Sequence, residues 1–180
     1  MLPTDMRQPT QAWIDAGTAW VDANPQKIRA FKAAWDGAAT REQQEQTLRA
    51  MVTETETALS IQGIKLRFGR TSKGQPFQTT GPHDITVDLD HSYFQYRSNV
   101  LHFSDMTGAV LHELAHTRQI ALAQKMEGQT GMLMNTVWFA SRGEAISSSG
   151  GKIYLVYPIE MQTHIIHNAI RDRVGKTLQP

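Results

Sequence analysis

The sequence of 180 residues has the length of one domain, or of one domain with a small appendage, and can bury a core without disulfides. Hydrophobic residues make up 40%, charged residues make up 19% and the formal net charge is +1, which excludes extensive disorder and gives no electrostatic basis for binding nucleic acid or membranes. Cysteine is absent, which excludes disulfides, thiolate metal sites and a cysteine nucleophile.

Residues 8–60 are predicted to form three helices. Pro25 suits a first helical position, Gly37 ends that helix, Thr40 is the predicted N-cap of the third helix, and Gly63 is its predicted stop. Apolar residues recur at helical spacing in the first two helices and are expected to face the core: Trp13, Ala16, Trp20, Val21, Ile28, Phe31, Ala34 and Trp35.

The pattern changes to strands after Gly63. "IKLRFG" (64–69) and "HDITVDLD" (83–90) alternate as strands do, with Ile85, Val87 and Leu89 on one face. "NVLHF" (99–103) is predicted as a third strand, and the stretch 69–82 carries loop signals.

The C-terminal part is predicted to contain two helices. The first covers 104–126, with Ser104 or Asp105 as its cap and Gly128 as its end. "IYLVY" (153–157) is a predicted strand, and Pro158 opens a last helix that runs to about Val174.

The stretch "VLHELAHT" (110–117) carries the most specific chemical signal. His112 and His116 are four residues apart and therefore lie on one face of a helix, where two imidazoles can bind one ion. Glu113 is rotated away from that face, so it can lie beside the metal without binding it, where a base that acts on metal-bound water is located. Chance placement gives about 0.01 occurrences of this pattern, and its neighbours are uncharged. Two helical histidines without a metal are the simpler alternative.

A catalytic zinc site needs a third protein ligand and an open fourth position. Glu160 is the favoured ligand, since a His₂Glu set is a known catalytic arrangement and the first turn of a helix favours an ionised carboxylate. Glu144, His164 and His167 are the other candidates. His164 or His167 could instead orient Glu160 or stabilise an oxyanion. The remaining histidines have no partner at ligand spacing and are interpreted as loop or strand residues: His83, His91 and His102.

The order His112-Glu113-x-x-His116 followed by a helical Glu160 is similar to the gluzincin branch of zinc metallopeptidases. Over its whole length, through "VLHELAHTRQ" and "YPIEMQTHIIH", the chain resembles the C-terminal metallopeptidase extension of a VgrG spike protein of the bacterial type VI secretion system. The resemblance implies an antibacterial toxin domain, linked covalently to the spike in a longer parent chain and acting in the target periplasm. It implies His112, His116 and Glu160 as the ligands of one Zn²⁺ ion and Glu113 as the catalytic base.

The mechanism expected from these residues is hydrolysis of an amide bond in a protein or peptide by zinc-activated water. Glu113 transfers the proton to the leaving amine, and the oxyanion donor stays open among four residues: Tyr154, Tyr157, His164 and His167. The edge of the 99–103 strand is expected to bind an extended peptide. The alternatives are a metal-dependent peptidoglycan amidase or endopeptidase and a non-catalytic module with a structural zinc.

The predicted fold is α+β and zincin-like, in one domain over residues 1–180. A helical region (1–62) precedes a small, mostly antiparallel sheet and the two zinc-site helices (63–180). No secretory signal peptide is expected from the polar start "MLPTDMRQPTQAW", and no apolar run reaches transmembrane length.

Overall fold

The computed structural model describes residues 4–96, 99–125 and 158–179, and the side chains of residues 11–96, 99–121 and 163–179. The helices in these ranges are α1 (Thr4–Ala23), α2 (Pro25–Gly37), α3 (Arg41–Ala58), α4 (Val100–Lys125) and α5 (Pro158–Leu178). The strands are β1 (Lys65–Phe68), β2 (Phe77–Thr79) and β3 (Asp84–Val87), followed by a short 3-10 helix at Ser92–Gln95.

The starts of the second and third helices confirm the sequence signals. Pro25 is the first residue of α2, and Gly37 is its last. The Thr40 side chain accepts a hydrogen bond from the Gln43 backbone N–H, and the Gln43 side chain accepts one from the Thr40 N–H. This capping box satisfies two N–H groups that a helix start leaves without partners.

The end of α3 differs from the prediction. The helix ends at Ala58, five residues before the predicted stop at Gly63. Ser60 adopts a left-handed conformation with φ 52°, and the Ile61 N–H donates to the Glu56 carbonyl over 2.9 Å. This is the bonding of a Schellman motif, which closes a helix end. Serine occupies a position that favours glycine, so no glycine marks this helix end in the sequence.

The sheet is mixed, with β3 at its centre. β1 pairs with β3 in parallel, and β2 pairs with β3 in antiparallel orientation. The strands predicted within 64–69 and 83–90 are confirmed, and the residues predicted on one face of the second are buried: Ile85, Val87 and, just beyond β3, Leu89. Within the described residues the sheet is mixed rather than mostly antiparallel, since one of its two pairings is parallel. β2 lies in the stretch predicted as loop, because three residues flanked by Pro76 and Gly81 give little alternating pattern.

The strand predicted at 99–103 was wrong, because α4 begins there, at Val100. The Asn99 side chain accepts a hydrogen bond from the Leu101 N–H over 2.8 Å, so Asn99 caps the helix in place of Ser104 or Asp105. Phe103 and the apolar residues after it are buried at helical spacing. Five residues were too few to reveal that period.

The helices and the sheet share one hydrophobic core. α5 packs along α4 and also contacts α1, while β2 packs against α4. Of the apolar residues predicted to face the core, Val21, Ile28 and Trp35 are buried, whereas Ala34 is exposed. The others are partly buried against the same core: Trp13, Ala16, Trp20 and Phe31.

The α+β class is therefore confirmed, and the zincin-like fold stays a prediction. The strand at 153–157 and the helix end at Gly128 lie outside the described residues. Pro158 does open the last helix, as predicted. No helix in the described ranges combines the length and the apolar character that crossing a membrane requires.

Candidate metal centre and active site

A line of polar residues runs along the face of α4 that meets α5 and the sheet. Asp105, His112, His116 and Gln119 recur at intervals of three, four or seven residues, which places them on one side of a helix. His112, His116 and Gln119 are 6%, 4% and 2% exposed, respectively. Burying such groups costs free energy unless each has a hydrogen-bond or metal partner. Their burial on one face of α4 therefore indicates a functional role.

His112 and His116 face each other at the centre of this line. Their Nε2 atoms are 3.0 Å apart, and their ring centroids are 4.7 Å apart at an interplanar angle of 77°. Two imidazoles bound at ~2.0–2.1 Å to a tetrahedral zinc would place their nitrogens roughly 3.3 Å apart. The observed geometry therefore matches joint binding of one ion to within a few tenths of an ångström.

Gln119 sets the proton position on His116. Its Oε1 lies 2.9 Å from His116 Nδ1, and a carbonyl oxygen only accepts, so Nδ1–H is the donor. The lone pair of the neutral His116 ring then lies on Nε2, the atom that faces His112. A buried partner of this kind is typical of metal-binding histidines. The sequence analysis missed Gln119, although its position three residues after His116 could have indicated it.

Glu113 is anchored to the sheet. Its Oε2 accepts hydrogen bonds from the Thr79 backbone N–H over 2.7 Å and from the Thr79 hydroxyl over 2.6 Å. The same hydroxyl lies 3.0 Å from the Glu113 carbonyl. β2 thus orients the carboxylate, which the sequence analysis could not anticipate because it placed Thr79 in a loop.

A cleft of about 170 Å³ connects these parts. Its walls come from the stretch before β2, from α4 and from α5. The lining residues are Gln75, Pro76, Phe77, Ala109, His112, Glu113, His164 and His167.

The histidines of α5 contribute the wall opposite α4. The ring of His164 lies 4.9 Å from that of His112, and the ring of His167 lies 6.1 Å from it. Both residues predicted to orient a ligand or to stabilise an oxyanion thus lie close to His112. They occupy neighbouring places, since their own ring centroids are 6.2 Å apart.

His167 is bonded to a carboxylate that the sequence analysis did not assign to the site. His167 Nε2 lies 2.8 Å from Asp105 Oδ1, and the Tyr93 hydroxyl donates to Asp105 Oδ2 over 2.8 Å. The hydrogen bond from His167, reinforced by Tyr93, holds the pKa of Asp105 below its ordinary value against the opposing effect of burial. Burial, followed by the Asp105 charge, raises the pKa of the Tyr93 phenol.

Gly108 allows the two helices to come this close. A Cβ at this position would lie 2.7 Å from the His167 carbonyl oxygen and 2.8 Å from its Cδ2. Real Cβ atoms essentially never approach so closely, so only glycine fits without moving the α5 backbone. The glycine lies one turn before His112, within "SDMTGAVLHELAH".

Several predicted site residues cannot be placed. Glu160 lies in the first turn of α5, as expected, but its side chain is outside the described part of the chain. Glu144, Tyr154 and Tyr157 lie outside the described residues altogether. Among the side chains that are described, no group of three or more histidine, aspartate or glutamate residues is arranged to hold a metal ion.

The three histidines set aside in the sequence analysis stay apart from the pair. His83 precedes β3 in a loop, and His91 caps the 3-10 helix by accepting from the Tyr93 N–H. His102 was expected in a strand or loop but lies in α4, where burial lowers its pKa.

Comparison with known proteins finds no match to this chain among protein-family models, curated proteins or solved structures. The chemistry of the cleft must therefore be argued from its own residues.

Proposed function

We propose that the chain is a zinc-dependent metallopeptidase that hydrolyses an amide bond with activated water. The observation that carries the proposal is the approach of His112 Nε2 and His116 Nε2 to 3.0 Å, with His112 and Glu113 both lining the cleft. Two buried imidazoles beside a glutamate need a shared cation or a shared proton to be stable, and zinc is the cation that imidazole donors favour.

The two described imidazoles suit a zinc ion. His112 and His116 would hold it, with Glu160 of α5 as the third ligand. Gln119 supports the fit because it leaves the lone pair of His116 on the nitrogen that faces His112. When bound, the ion supplies Lewis acidity, which activates water and polarises a carbonyl group.

Glu113 acts as the base in this proposal. Its carboxylate takes the proton from the attacking water and passes it to the leaving amine. Thr79 holds one carboxylate oxygen through two donors, so the orientation of the side chain is set before substrate binds. Such pre-organisation reduces the reorganisation needed during the reaction.

Among the described strands β2 lies at the edge of the sheet, which supports a peptide substrate. The Thr80 N–H donates to the Asp84 carbonyl and the Pro76 carbonyl accepts from Asp88, so by alternation the backbone groups of Phe77 and Thr79 point away from β3. Of these groups the Thr79 N–H already donates to Glu113, which leaves the Phe77 backbone and the Thr79 carbonyl on that side. Phe77 also lines the cleft. An extended peptide can add to such an edge by backbone hydrogen bonds. β2 therefore takes the docking role that was expected of the 99–103 segment, which is helical.

The biological setting of the proposal rests on the resemblance to the VgrG extension. In this setting the chain is an antibacterial effector domain that is delivered with the spike and acts in the periplasm of the target cell. Expression with a periplasmic signal peptide should arrest growth of a Gram-negative host, and the Glu113→Gln variant should not. Equal growth of both strains would contradict this setting without bearing on hydrolysis itself.

The test of hydrolysis uses Glu113→Gln on the purified chain. The amide keeps the size of the side chain but cannot accept the proton, so we expect peptide hydrolysis to fall by at least about 10³-fold while zinc stays bound. Glu54→Gln is the matched control, since Glu54 is partly exposed and pairs with Lys27. Near-wild-type turnover by Glu113→Gln would refute the assigned role.

Two alternatives have their own outcomes. Release of fragments from purified sacculi, but not from periplasmic proteins, would favour a peptidoglycan amidase. A structural zinc takes four protein ligands, and the ring of His164 lies close enough to that of His112 to supply the fourth. Zinc loss on His164→Ala, together with an inactive wild type, would favour that alternative.

A further inference from the structure

Asp105 and His167 form a bonded pair that joins α4 to α5 beside the cleft. His167 Nε2 lies 2.8 Å from Asp105 Oδ1, and Asp105 Oδ2 accepts the Tyr93 hydroxyl at the same distance. The proposed hydrolysis uses neither Asp105 nor Tyr93. Both residues are nevertheless linked by hydrogen bonds to His167, whose ring lines the cleft.

The hydrogen bonds determine where the proton of His167 lies. The His167 and Tyr93 hydrogen bonds hold the pKa of Asp105 below its ordinary value, so Asp105 is ionised at neutral pH. A carboxylate only accepts hydrogen bonds, which means that His167 carries a proton on Nε2. In the neutral ring the lone pair is then on Nδ1, and Asp105 selects this tautomer.

Packing determines which edge of the ring faces the cleft. A Cβ at Gly108 would lie 2.8 Å from His167 Cδ2 and 3.2 Å from its Nε2, so that edge is against α4. The ring also lines the cleft with His112 and Glu113, and its side chain is 14% exposed. The edge that carries Nδ1 lies opposite this contact with α4, and a ring that lines the cleft therefore presents that edge to it.

We propose that Asp105 and Tyr93 are positioning residues that hold His167 as a substrate-contacting residue of the cleft. This inference rests on the proposed peptidase function and deepens it. A lone pair on Nδ1 accepts a hydrogen bond, and the amide N–H of a peptide is the donor that a peptide substrate presents. His167 thus recognises the N–H side of the substrate, whereas the metal-binding pair lies on the other side of the cleft.

The first variant is Asp105→Asn, which keeps the size of the side chain but removes its charge. The amide can donate to Nε2, so the tautomer of His167 is no longer fixed. We expect kcat to fall by about 10- to 100-fold, as for other partners that orient a functional histidine. Zinc content should stay at the wild-type level. The matched control is Asp172→Asn, since Asp172 is exposed and pairs with the adjacent Arg171.

A second readout does not depend on activity. Long-range ¹H–¹⁵N correlation spectra of the zinc-free chain should show His167 as the Nε2–H tautomer in the wild type. In Asp105→Asn the ¹⁵N shifts should move toward the other tautomer. Loss of a merely structural ion pair would lower the melting temperature but would leave kcat below that temperature unchanged.

The second variant is Tyr93→Phe, which removes one hydroxyl and tests the inference if Asp105→Asn fails to fold. We expect a smaller fall in kcat, up to about 10-fold, because Asp105 keeps its bond to His167. Tyr96→Phe is the control, since Tyr96 is 67% exposed.

Two results would overturn the inference. One is wild-type kcat in Asp105→Asn and Tyr93→Phe, and the other is unchanged His167 ¹⁵N shifts in Asp105→Asn. If Glu113→Gln is inactive while both variants keep full activity, only the positioning role fails. If Glu113→Gln is itself fully active, the peptidase proposal fails, and the spectra alone then test the tautomer.

Discussion

The layer formed by α1–α3 and the contact between α4 and α5 differ in the kind of side chain that they bury. In the layer the large, fully buried side chains are apolar, with Val21, Ile28, Trp35 and Leu48 each no more than 1% exposed. The polar Thr55 is equally buried there, and its hydroxyl donates to the Met51 carbonyl of its own helix. Along the α4–α5 contact, apolar residues such as Leu114 and Ile166 alternate with buried polar ones: His112, His116, Gln119 and Thr163.

The two regions therefore contribute differently: the layer mainly to stability, and the α4–α5 contact to the candidate site. Apolar burial contributes roughly 25 cal/mol per Å² and explains why the layer folds. Buried polar groups contribute far less to stability and cost free energy if left without partners. A contact that keeps two histidines and a glutamine buried therefore indicates a site, and the two regions should respond differently to mutation.

The largest expected effect on stability is in the α1–α3 layer. Trp35 is completely buried and packs against Phe94 with ring centroids 6.0 Å apart. Trp35→Ala should lower the free energy of unfolding by about 3–5 kcal/mol, measured by urea denaturation. Below its melting temperature the variant should keep the zinc content of the wild type. The partly buried Trp20 is the control, and Trp20→Ala should cost less.

The second effect tests the close approach of α4 and α5. Gly108→Ala must displace the His167 backbone, so we expect a loss of about 1–3 kcal/mol despite the better helix propensity of alanine. Gly175→Ala is the matched control, because its Cβ would lie 3.6 Å from Ser104 Oγ in ordinary contact. That variant should gain roughly 0.5–1 kcal/mol. Equal effects in thermal unfolding would contradict the role given to Gly108.

The third effect should appear in metal affinity, with a moderate loss of stability. Gln119→Leu keeps the approximate volume but removes the acceptor of the His116 Nδ1–H. We expect zinc affinity, measured by competition with a chelator, to fall about 10- to 100-fold. The free energy of unfolding of the zinc-free protein should fall by about 1–3 kcal/mol, because the buried His116 Nδ1–H loses its acceptor. A large loss of stability with unchanged affinity would show that Gln119 only fills space.

The smallest effect is a pH dependence. The pKa of Asp105 in the folded chain lies below its ordinary value of 3.8, chiefly because of the His167 hydrogen bond. Its stabilising contribution is therefore complete above pH 3.8 and is lost as the pH falls through the lower folded value. Melting temperatures between pH 6 and about 2.5 should fall more steeply for the wild type than for Asp105→Asn. Parallel curves would contradict this assignment.

Elements that depend on neighbouring residues could be predicted from the sequence. Pro25, Thr40 and Pro158 act locally on the helix that follows, and each lies where its chemistry requires. His112 and His116 could be paired because helical spacing alone brings them together.

Features that depend on distant segments could not be predicted. Thr79 reaches Glu113 across 34 residues, and Asp105 reaches His167 across 62. Such pairs follow from how β2 and α5 pack on α4, for which a single sequence has no signal. Short segments were also predicted wrongly. Residues 99–103 were predicted as a strand, but Asn99 caps α4, which begins at the next residue.

The central claim is that His112 and His116 bind one metal ion together. Zinc content of the purified chain after dialysis, measured by inductively coupled plasma mass spectrometry, tests it most directly. The exposed His83 provides the matched control, His83→Ala. We predict one zinc per chain in the wild type and in His83→Ala, and almost none in His112→Ala or His116→Ala with helical content retained. Full zinc occupancy in His116→Ala, or no zinc in the wild type after reconstitution, would contradict the account.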